Sequence, residues 1–308
     1  MIGRVLLRVG QMFLVVLAVV TITFFVLRLA TGDPARLVTP PGTPEDIILQ
    51  TRERLGTDKP VLVQYGEYLW RLAQGDLGTT FHGSEPVRSA VFRALPNTLA
   101  LAGITVVVSS SLALILGMAA AWRPNSILDR FVLGYVALAQ ATPAFWLAVV
   151  LVLVFSLRLR WLPAIDMTGP ESFVLPVVTL VIALSPILIR TVRQSFYEAL
   201  GDDYIRAARA RGIPERRVFF IHGLKVASLP LITLIGLQMG FLLAGAVVIE
   251  AIFNWPGIGE LILDSVSGRD FPMIQGGVLV AAVAFVLLNF LVDLFYSILD
   301  PRVRRSAR

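Results

Sequence analysis

Apolar residues along this chain fall into six long runs that contain no charged side chain. Each run is 17 to 27 residues long, and polar or charged segments separate it from the next. A membrane core about 30 Å thick requires about 20 apolar residues for one helical crossing. The pattern therefore predicts an all-α integral membrane protein with six transmembrane helices, in the runs Val9–Leu27, Thr98–Trp122, Phe131–Leu157, Phe173–Ile189, Val226–Ile249 and Phe271–Val292.

The composition excludes an ordinary soluble domain and several kinds of site. Of the 308 residues, 56% are hydrophobic and 16% are charged, whereas soluble globular domains have about 25% charged residues. The chain has no cysteine, which excludes disulfides and thiolate metal sites. Its two histidines, His82 and His222, lie far apart in the sequence, so we expect no histidine metal site.

The basic residues indicate the orientation of the chain rather than a nucleic-acid partner, although the net charge is +6. If the N-terminus is cytoplasmic, 16 basic residues flank the spans on that side and only 3 lie in the short outer loops. The remainder belong to the long segment after the first run. Cytoplasmic loops of membrane proteins carry an excess of lysine and arginine. We therefore predict that both termini are cytoplasmic.

The spans and loops divide the chain into three segments. Residues 1–30 form an N-terminal transmembrane helix, whose apolar run is longer than the roughly 7–15 residues of a signal peptide. Residues 31–97 form an extracytoplasmic segment. Residues 98–308 form a five-helix core with a polar cytoplasmic loop at about residues 190–225.

The outer segment is expected to contain two short amphipathic helices. The first begins with Thr43 as its cap and Pro44 in its first turn, and it ends at Gly56. The second extends from about Pro60 to Gln74. Two interpretations are open: the helices lie on the membrane or against the spans, or they form a docking surface for an extracytoplasmic partner.

Prolines and acidic residues inside the spans are candidates for functional roles. Pro143, Pro176 and Pro186 form either simple kinks or gating hinges, since neighbouring helices can satisfy the freed carbonyl groups. Glu250 ends the fifth run and Asp293 lies in the last span. Each is either a proton relay or substrate contact, or a structural acid near a helix end.

The sequence contains no motif for nucleotide binding or catalysis. The phosphate-binding pattern G-x-x-x-x-G-K-[ST] is absent, and Gly257–Gly259 is a lone G-x-G that follows an apolar run. Neither H-E-x-x-H nor G-x-S-x-G occurs. We therefore expect a non-catalytic chain that binds no nucleotide, cofactor or metal itself.

The cytoplasmic loop has the pattern of a helix, a glycine stop and a second helix. Asp202 or Asp203 can cap a short helix over residues 204–211, Gly212 can end it in a left-handed conformation, and Pro214 can begin the next helix. The short helix is rich in alanine, at positions 207, 208 and 210. Small side chains on an exposed helix leave room for another protein to approach closely.

This loop resembles the "EAA" coupling loop of ABC-importer permeases. Residues Asp203–Gly212 read D-Y-I-R-A-A-R-A-R-G, which is similar to the variant found in the dipeptide, oligopeptide and nickel permeases. Arg206 stands where the general pattern has glutamate, and Lys225 stands where it has proline. Further similar segments occur in order along the chain: Gly32–Pro34, Gln74–Gly78, Pro96–Leu99, Glu250–Gly259, Arg269–Pro272 and Asn289–Arg302.

The resemblance implies an inner-membrane permease subunit with the fold of type I ABC importers. Of the two homologous permeases in such transporters, it resembles the first, which has the longer loop. It implies four kinds of partner: a second homologous permease, two ABC ATPase subunits that carry the ATP and Mg²⁺, an extracytoplasmic substrate-binding protein, and membrane lipid. The expected cargo is dipeptides or short oligopeptides, with nickel chelates and opine-like solutes as less favoured alternatives.

The resemblance also assigns roles to two groups of residues. ATPase coupling falls to Tyr204, Arg206, Ala207, Ala208, Arg209, Arg211, Gly212 and Glu215. A surface that faces the binding protein, or a gate, falls to Asn254, Trp255, Pro256, Gly257 and Asp270. No residue is assigned to substrate binding.

Two other functions remain as alternatives to an ATP-driven permease. A secondary transporter would use Asp293 or Glu250 as its proton site. A polytopic membrane enzyme would require a convergent set of nucleophile, base or metal ligands, and the sequence does not indicate one.

Overall fold

The computed structural model describes residues 2–31, 35–36, 39–40, 42–81, 85–164 and 169–299. Several features of the sequence lie outside these ranges: Gly32–Pro34, His82, and the segment Asp300–Arg308 with its four arginines. The predicted position of the C-terminus on the cytoplasmic side therefore remains a prediction.

The regular secondary structure of the described residues is helical, apart from one isolated antiparallel bridge between Thr79 and Pro86. This confirms the all-α prediction. The helices are α1 (Ile2–Thr31), α2 (Glu45–Leu55), α3 (Val61–Ala73), α4 (Val87–Trp122), α5 (Ile127–Ala141), α6 (Ala144–Leu151), α7 (Val174–Gly201), α8 (Asp203–Ala210), α9 (Leu224–Ile252), α10 (Ile258–Ser267) and α11 (Phe271–Leu299). Wider π-helical turns at Val152–Arg158 and Val218–Gly223 continue α6 and precede α9.

Four helical segments of the described chain are long and apolar enough to cross a membrane unaided, namely Leu7–Leu29, Val87–Trp122, Pro170–Gly201 and Phe271–Val292. The third predicted run forms a broken span, in which α5 and the α6 segment are bent by 97°. The fifth predicted run lies within α9, which is 29 residues long. Six spans thus stay a prediction.

The structure places the three prolines, which were expected to form simple kinks or gating hinges, at three different kinds of position. Pro143 lies between α5 and α6, at the sharp bend, because it has no N–H group to continue the ladder of α5. Pro176 is the third residue of α7, where the N–H groups need no partner within the helix. Only Pro186 of the three lies in a helix interior.

Two helix boundaries lie beyond the ends of the apolar runs. Helix α4 begins at Val87, well inside the segment assigned to residues 31–97, and its 36 residues span about 54 Å. Helix α7 continues to Gly201, so the first residues of the predicted loop at 190–225 are its last turns. Charged residues end an apolar run without ending a helix, which explains both differences.

The two short helices of the outer segment occur where the sequence predicts them. Pro44 itself caps α2, whereas the Thr43 hydroxyl donates to the Pro40 carbonyl, so the predicted threonine cap is wrong. Gly56 ends α2 with φ +65°, as expected. Helix α3 packs against the spans, because Tyr68 lies in a buried cluster with Val20 and Phe24 of α1.

The chain divides into two compact units. Unit 1 comprises Met1–Asn97 and Pro256–Val286, and unit 2 comprises Thr98–Trp255 and Leu287–Arg308. In unit 1, a second apolar cluster joins the start of α4 to α10 and α11. In unit 2, two larger clusters join α4, α5, α7 and α9.

Candidate functional site

The short loop helix α8 lies in unit 2 and follows α7 after a single extended residue, Asp202. The carbonyl of Asp202 accepts the first helical bonds, while its side chain makes no capping bond. At the other end Gly212 has φ +74°. Its N–H donates to the Arg209 carbonyl at 2.9 Å, and the Ile213 N–H donates to the Ala208 carbonyl at 3.3 Å. Glycine is favoured here because the left-handed conformation penalises a Cβ atom.

One face of α8 packs against its own loop. Ile205, Ala208 and Val218 are buried together, with Ile213 at their edge. Ala208, which the resemblance assigns to ATPase coupling, is only 6% exposed and occupies the apolar side of the helix. Its side chain is therefore not on the exposed face of α8, and its role in coupling stays a prediction.

The opposite face of α8 is open. Ala207 and Ala210 are exposed and three residues apart, so they are neighbours on one side of the helix. Arg206 lies beside them and pairs with Asp203 at 3.2 Å on the surface. Arg211 and Gly212 are also exposed, while the side chain of Tyr204 lies outside the described part. A surface of small side chains bordered by charges therefore remains available.

A two-bond contact closes the glycine turn. The Arg209 guanidinium donates to both carboxylate oxygens of Glu215, at 2.6 and 3.1 Å. Through these bonds Arg209 lowers the pKa of Glu215, and Glu215 raises the pKa of Arg209. Both groups therefore stay charged at neutral pH, and their contact links the helix to the residues beyond Gly212.

Aromatic packing ties the loop to the long helices of unit 2. Phe219 is buried, and its ring centroid lies 5.0 Å from that of Phe196 in α7 and 4.5 Å from that of Trp122 in α4. The turn after α8 is thereby fixed to the ends of two spans.

A buried ion pair that the sequence did not predict lies near the same helix ends. Asp129, only 2% exposed, accepts from Arg193 Nε at 2.7 Å and from Arg193 Nη2 at 2.8 Å. Asp129 also accepts from the Asn125 N–H at 2.8 Å, and its own N–H donates to Ser126 Oγ. The local signal was the S-x-x-D pattern of a helix start at 126–129. Nothing local pointed to Arg193.

The expected outer surface is only partly exposed. Asn254 and Pro256 are exposed, whereas Trp255, Gly257 and Asp270 are buried. In unit 2, Trp255 packs edge-on against Phe173, with 4.5 Å between the ring centroids. Trp255 therefore packs inside unit 2 and is not part of an exposed surface, while a role in a gate stays a prediction.

Asp270 in unit 1 also has a structural position. Its carboxylate accepts from the Met273 N–H at 3.3 Å, as a helix cap for α11, and from the Phe81 N–H at 3.1 Å. It thus joins the chain before α4 to the start of the last helix. At 5% exposure Asp270 is not part of an exposed surface, while a role in a gate stays a prediction.

Of the two acidic residues considered in the spans, Glu250 and Asp293, the structure describes the side chain of Glu250 alone. Glu250 in unit 2 is fully buried and accepts a hydrogen bond from the Thr98 hydroxyl at 2.7 Å. Asp293 lies within α11, and its side chain is outside the described part. Among the described residues, no group of three or more histidine or acidic side chains could hold a metal ion.

Comparison with known families decides the identity of this helical assembly. Residues 113–305 match the family described as the binding-protein-dependent transport system inner membrane component. Residues 1–102 match the N-terminal part of such membrane components. The chain belongs to this permease family. The permease is therefore a non-catalytic, multi-pass inner-membrane subunit of an ABC importer, and ATPase activity lies in partner subunits.

Curated relatives match the permease over almost its whole length. A glutathione transport system permease protein of Salmonella paratyphi A is 37% identical over 305 residues, which is 99% of each chain. The corresponding protein of Escherichia coli K12 is 36% identical over 309 residues, again 99% of each chain. These matches confirm the predicted membership of the binding-protein-dependent ABC importer permeases.

Solved structures support the fold of the permease. The inward-facing MetNI methionine ABC transporter gives a TM-score of 0.56 at 20% identity, covering 70% of this chain and 99% of that chain. An amino acid ABC transporter crystallised with histidines gives 0.52 at 16% identity, covering 70% and 94%. Both confirm the predicted type I permease fold.

Proposed function

We propose that this permease moves short peptides across the inner membrane. The observation that carries the proposal is the full-length similarity, at 37% identity, to permeases named for glutathione, which is a tripeptide. Dipeptides and other short oligopeptides share its backbone amides and terminal charges. Nickel chelates and opine-like solutes remain the less favoured cargo.

The permease would act within a larger assembly. A second homologous permease would complete the translocation path, two ATPase subunits would supply energy from ATP and Mg²⁺, and a binding protein would deliver the peptide. The exposed residues Asn254 and Pro256 would lie on the surface that meets this binding protein. Bound nucleotide would shift the assembly between inward-open and outward-open arrangements of its helices.

Helix α8 is the element that we assign to ATPase coupling. Its exposed Ala207 and Ala210 would approach the ATPase subunit closely, with Arg206 and Arg211 at the border of the contact. Its packed face, the Arg209–Glu215 contact and the Phe219 cluster would transmit the motion to α7 and α4. This assignment is supported by the two faces of α8: one is exposed, and the opposite one packs against the rest of the loop.

Uptake by reconstituted transporter tests both parts. The permease would be purified with its partner subunits, placed in proteoliposomes, and given binding protein and radiolabelled di- and tripeptides. We expect uptake that requires ATP, survives a protonophore and is competed by unlabelled short peptides. Uptake that does not depend on ATP would contradict the proposal. So would uptake of the labelled peptides that single amino acids inhibit and short peptides do not.

Ala207→Trp tests the coupling face. The added ring should obstruct the ATPase contact and reduce uptake by at least about tenfold, while α8 keeps its packed face. Ala73→Trp, at the exposed end of α3, is the matched control and should leave uptake unchanged. Normal uptake by Ala207→Trp would exclude this face as the coupling surface.

A further inference from the structure

A polar cavity of 510 Å³ lies in unit 1, at the C-terminal end of α1. It is an open pocket lined by α1, the end of α2, α3 and one residue of α11. It contains none of the residues assigned to ATPase coupling, to the binding-protein surface or to a gate. Its lining combines two arginines, two glutamates, two glutamines and three aromatic side chains.

Three buried polar atoms in this lining have no hydrogen-bond partner in the described part of the chain. They are Arg28 Nε, Gln64 Oε1 and Gln275 Nε2. The orientation of the Gln64 amide is set by its Nε2, which donates to the carbonyls of Lys59 and Thr57 at 2.7 and 3.3 Å. Buried polar atoms in native proteins almost always have partners. Two donors and one acceptor therefore remain available to a ligand.

The charges of the cavity favour an anionic group. Arg28 and Arg71 both line it, and neither makes an ion pair with an acid among the described residues. The Arg28 guanidinium lies 4.6 Å from the centre of the Phe24 ring, which orients it. Burial raises the pKa of the neighbouring Tyr68 to about 12, so its hydroxyl adds no negative charge. Two guanidinium groups in one cavity suit the oxygens of a phosphate.

The two acids of the lining limit which phosphate would fit. Glu53 and Glu67 belong to the same cavity, although Glu67 also pairs with Lys59 at 2.5 Å on the surface. Carboxylates beside the phosphate position would attract an ammonium group and repel a purely acidic ligand. The set of charges therefore matches a zwitterion that carries phosphate and ammonium close together.

The position of the cavity favours a lipid as the source of that zwitterion. Arg28 lies in the last turn of the apolar segment Leu7–Leu29, at the depth where a span meets the headgroups. The same end of α1 exposes Val26 and Leu29, at 53% and 85% of their surface. Trp70, which lines the cavity, is 68% exposed, as expected for a tryptophan at a membrane interface. Acyl chains could lie along this surface while the headgroup enters the cavity.

We propose that the cavity at the end of α1 binds the headgroup of phosphatidylethanolamine. Its phosphate lies between Arg28 and Arg71, and its ammonium lies beside Glu53 and Glu67. Gln275 and Gln64 complete the hydrogen bonds of the headgroup. A bound lipid would hold α3 against α1 and satisfy the buried polar atoms.

Native mass spectrometry of the full-length permease, purified with its partner subunits, tests the site. The complex would be delipidated and titrated with short-chain phosphatidylethanolamine, phosphatidylglycerol, diacylglycerol and inorganic phosphate. We expect phosphatidylethanolamine to bind most tightly and the Arg28→Gln/Arg71→Gln variant to bind it about tenfold more weakly. Arg88→Gln, an exposed arginine of α4 outside the cavity, should bind as the unaltered protein does.

Several results would overturn the assignment. Equal binding of phosphatidylglycerol would exclude the ammonium site, and equal binding of diacylglycerol would show a purely apolar groove. Tight binding of inorganic phosphate alone would identify a free-anion site instead. Arg28→Lys guards against misfolding, because it keeps the charge and should bind more tightly than the double glutamine variant. Equal binding by these two variants, with both complexes intact in the spectrum, would also refute the proposal.

Discussion

The buried pair of Asp129 and Arg193 leads to a quantitative prediction about stability. Asp129→Asn keeps the shape of the side chain and removes its charge, which leaves the Arg193 guanidinium without its carboxylate. Arg193 is 21% exposed and Asp129 is 2% exposed, so water cannot replace the lost contact fully.

The expected loss in the free energy of unfolding follows from measurements on buried ion pairs in other proteins. Removing one partner of such a pair typically costs about 3–5 kcal/mol, because an uncompensated charge stays buried. The partial exposure of Arg193 places this case at the lower end, at about 3 kcal/mol. For a unit of this size, that corresponds to an apparent Tm lowered by about 6–12 °C.

Thermal unfolding of the purified transporter in detergent, followed by size exclusion, measures this change. Asp203→Asn is the matched control, because Asp203 belongs to an exposed pair and should give no measurable shift. Arg193→Gln and the double variant complete a cycle, in which the double variant should lose clearly less than the sum of the single losses. A single Asp129→Asn variant that melts within about 1 °C of the unaltered protein, or strictly additive losses, would refute the reasoning.

Two further predictions concern helix packing and capping. Gly117→Ala should lower the Tm of unit 2, since its Cβ would meet Val192 at 2.8 Å and the Ile189 carbonyl at 3.0 Å, at a cost of about 1–3 kcal/mol. Gly103→Ala in the same helix meets nothing within 4 Å and should leave the Tm equal or slightly higher; equal losses in both variants would contradict this packing. Asp270→Ala should cost about 1–2 kcal/mol in thermal unfolding, as for other lost helix caps, while Asp270→Asn should lose less. If Asp270→Ala and Asp270→Asn had the same Tm, the side-chain oxygen of residue 270 would not be what caps α11.

The amino-acid sequence by itself determined the features that depend on neighbouring residues. Apolar runs long enough for a membrane marked the spans, and basic flanks indicated their orientation. Gly56 and Gly212 marked helix ends correctly, because the left-handed conformation is a property of one residue and its neighbours. The motif around α8 identified the family for the same reason, since the motif is contiguous in the chain.

Only the tertiary structure decided which residues of these elements face a partner and which face the chain. Ala207 and Ala208 are adjacent and chemically identical, but packing against Val218 buries one and leaves the other exposed. Arg193 lies 64 residues from Asp129, so no local pattern could join them. Burial depends on contacts between distant segments, and a single sequence does not record which distant segments meet.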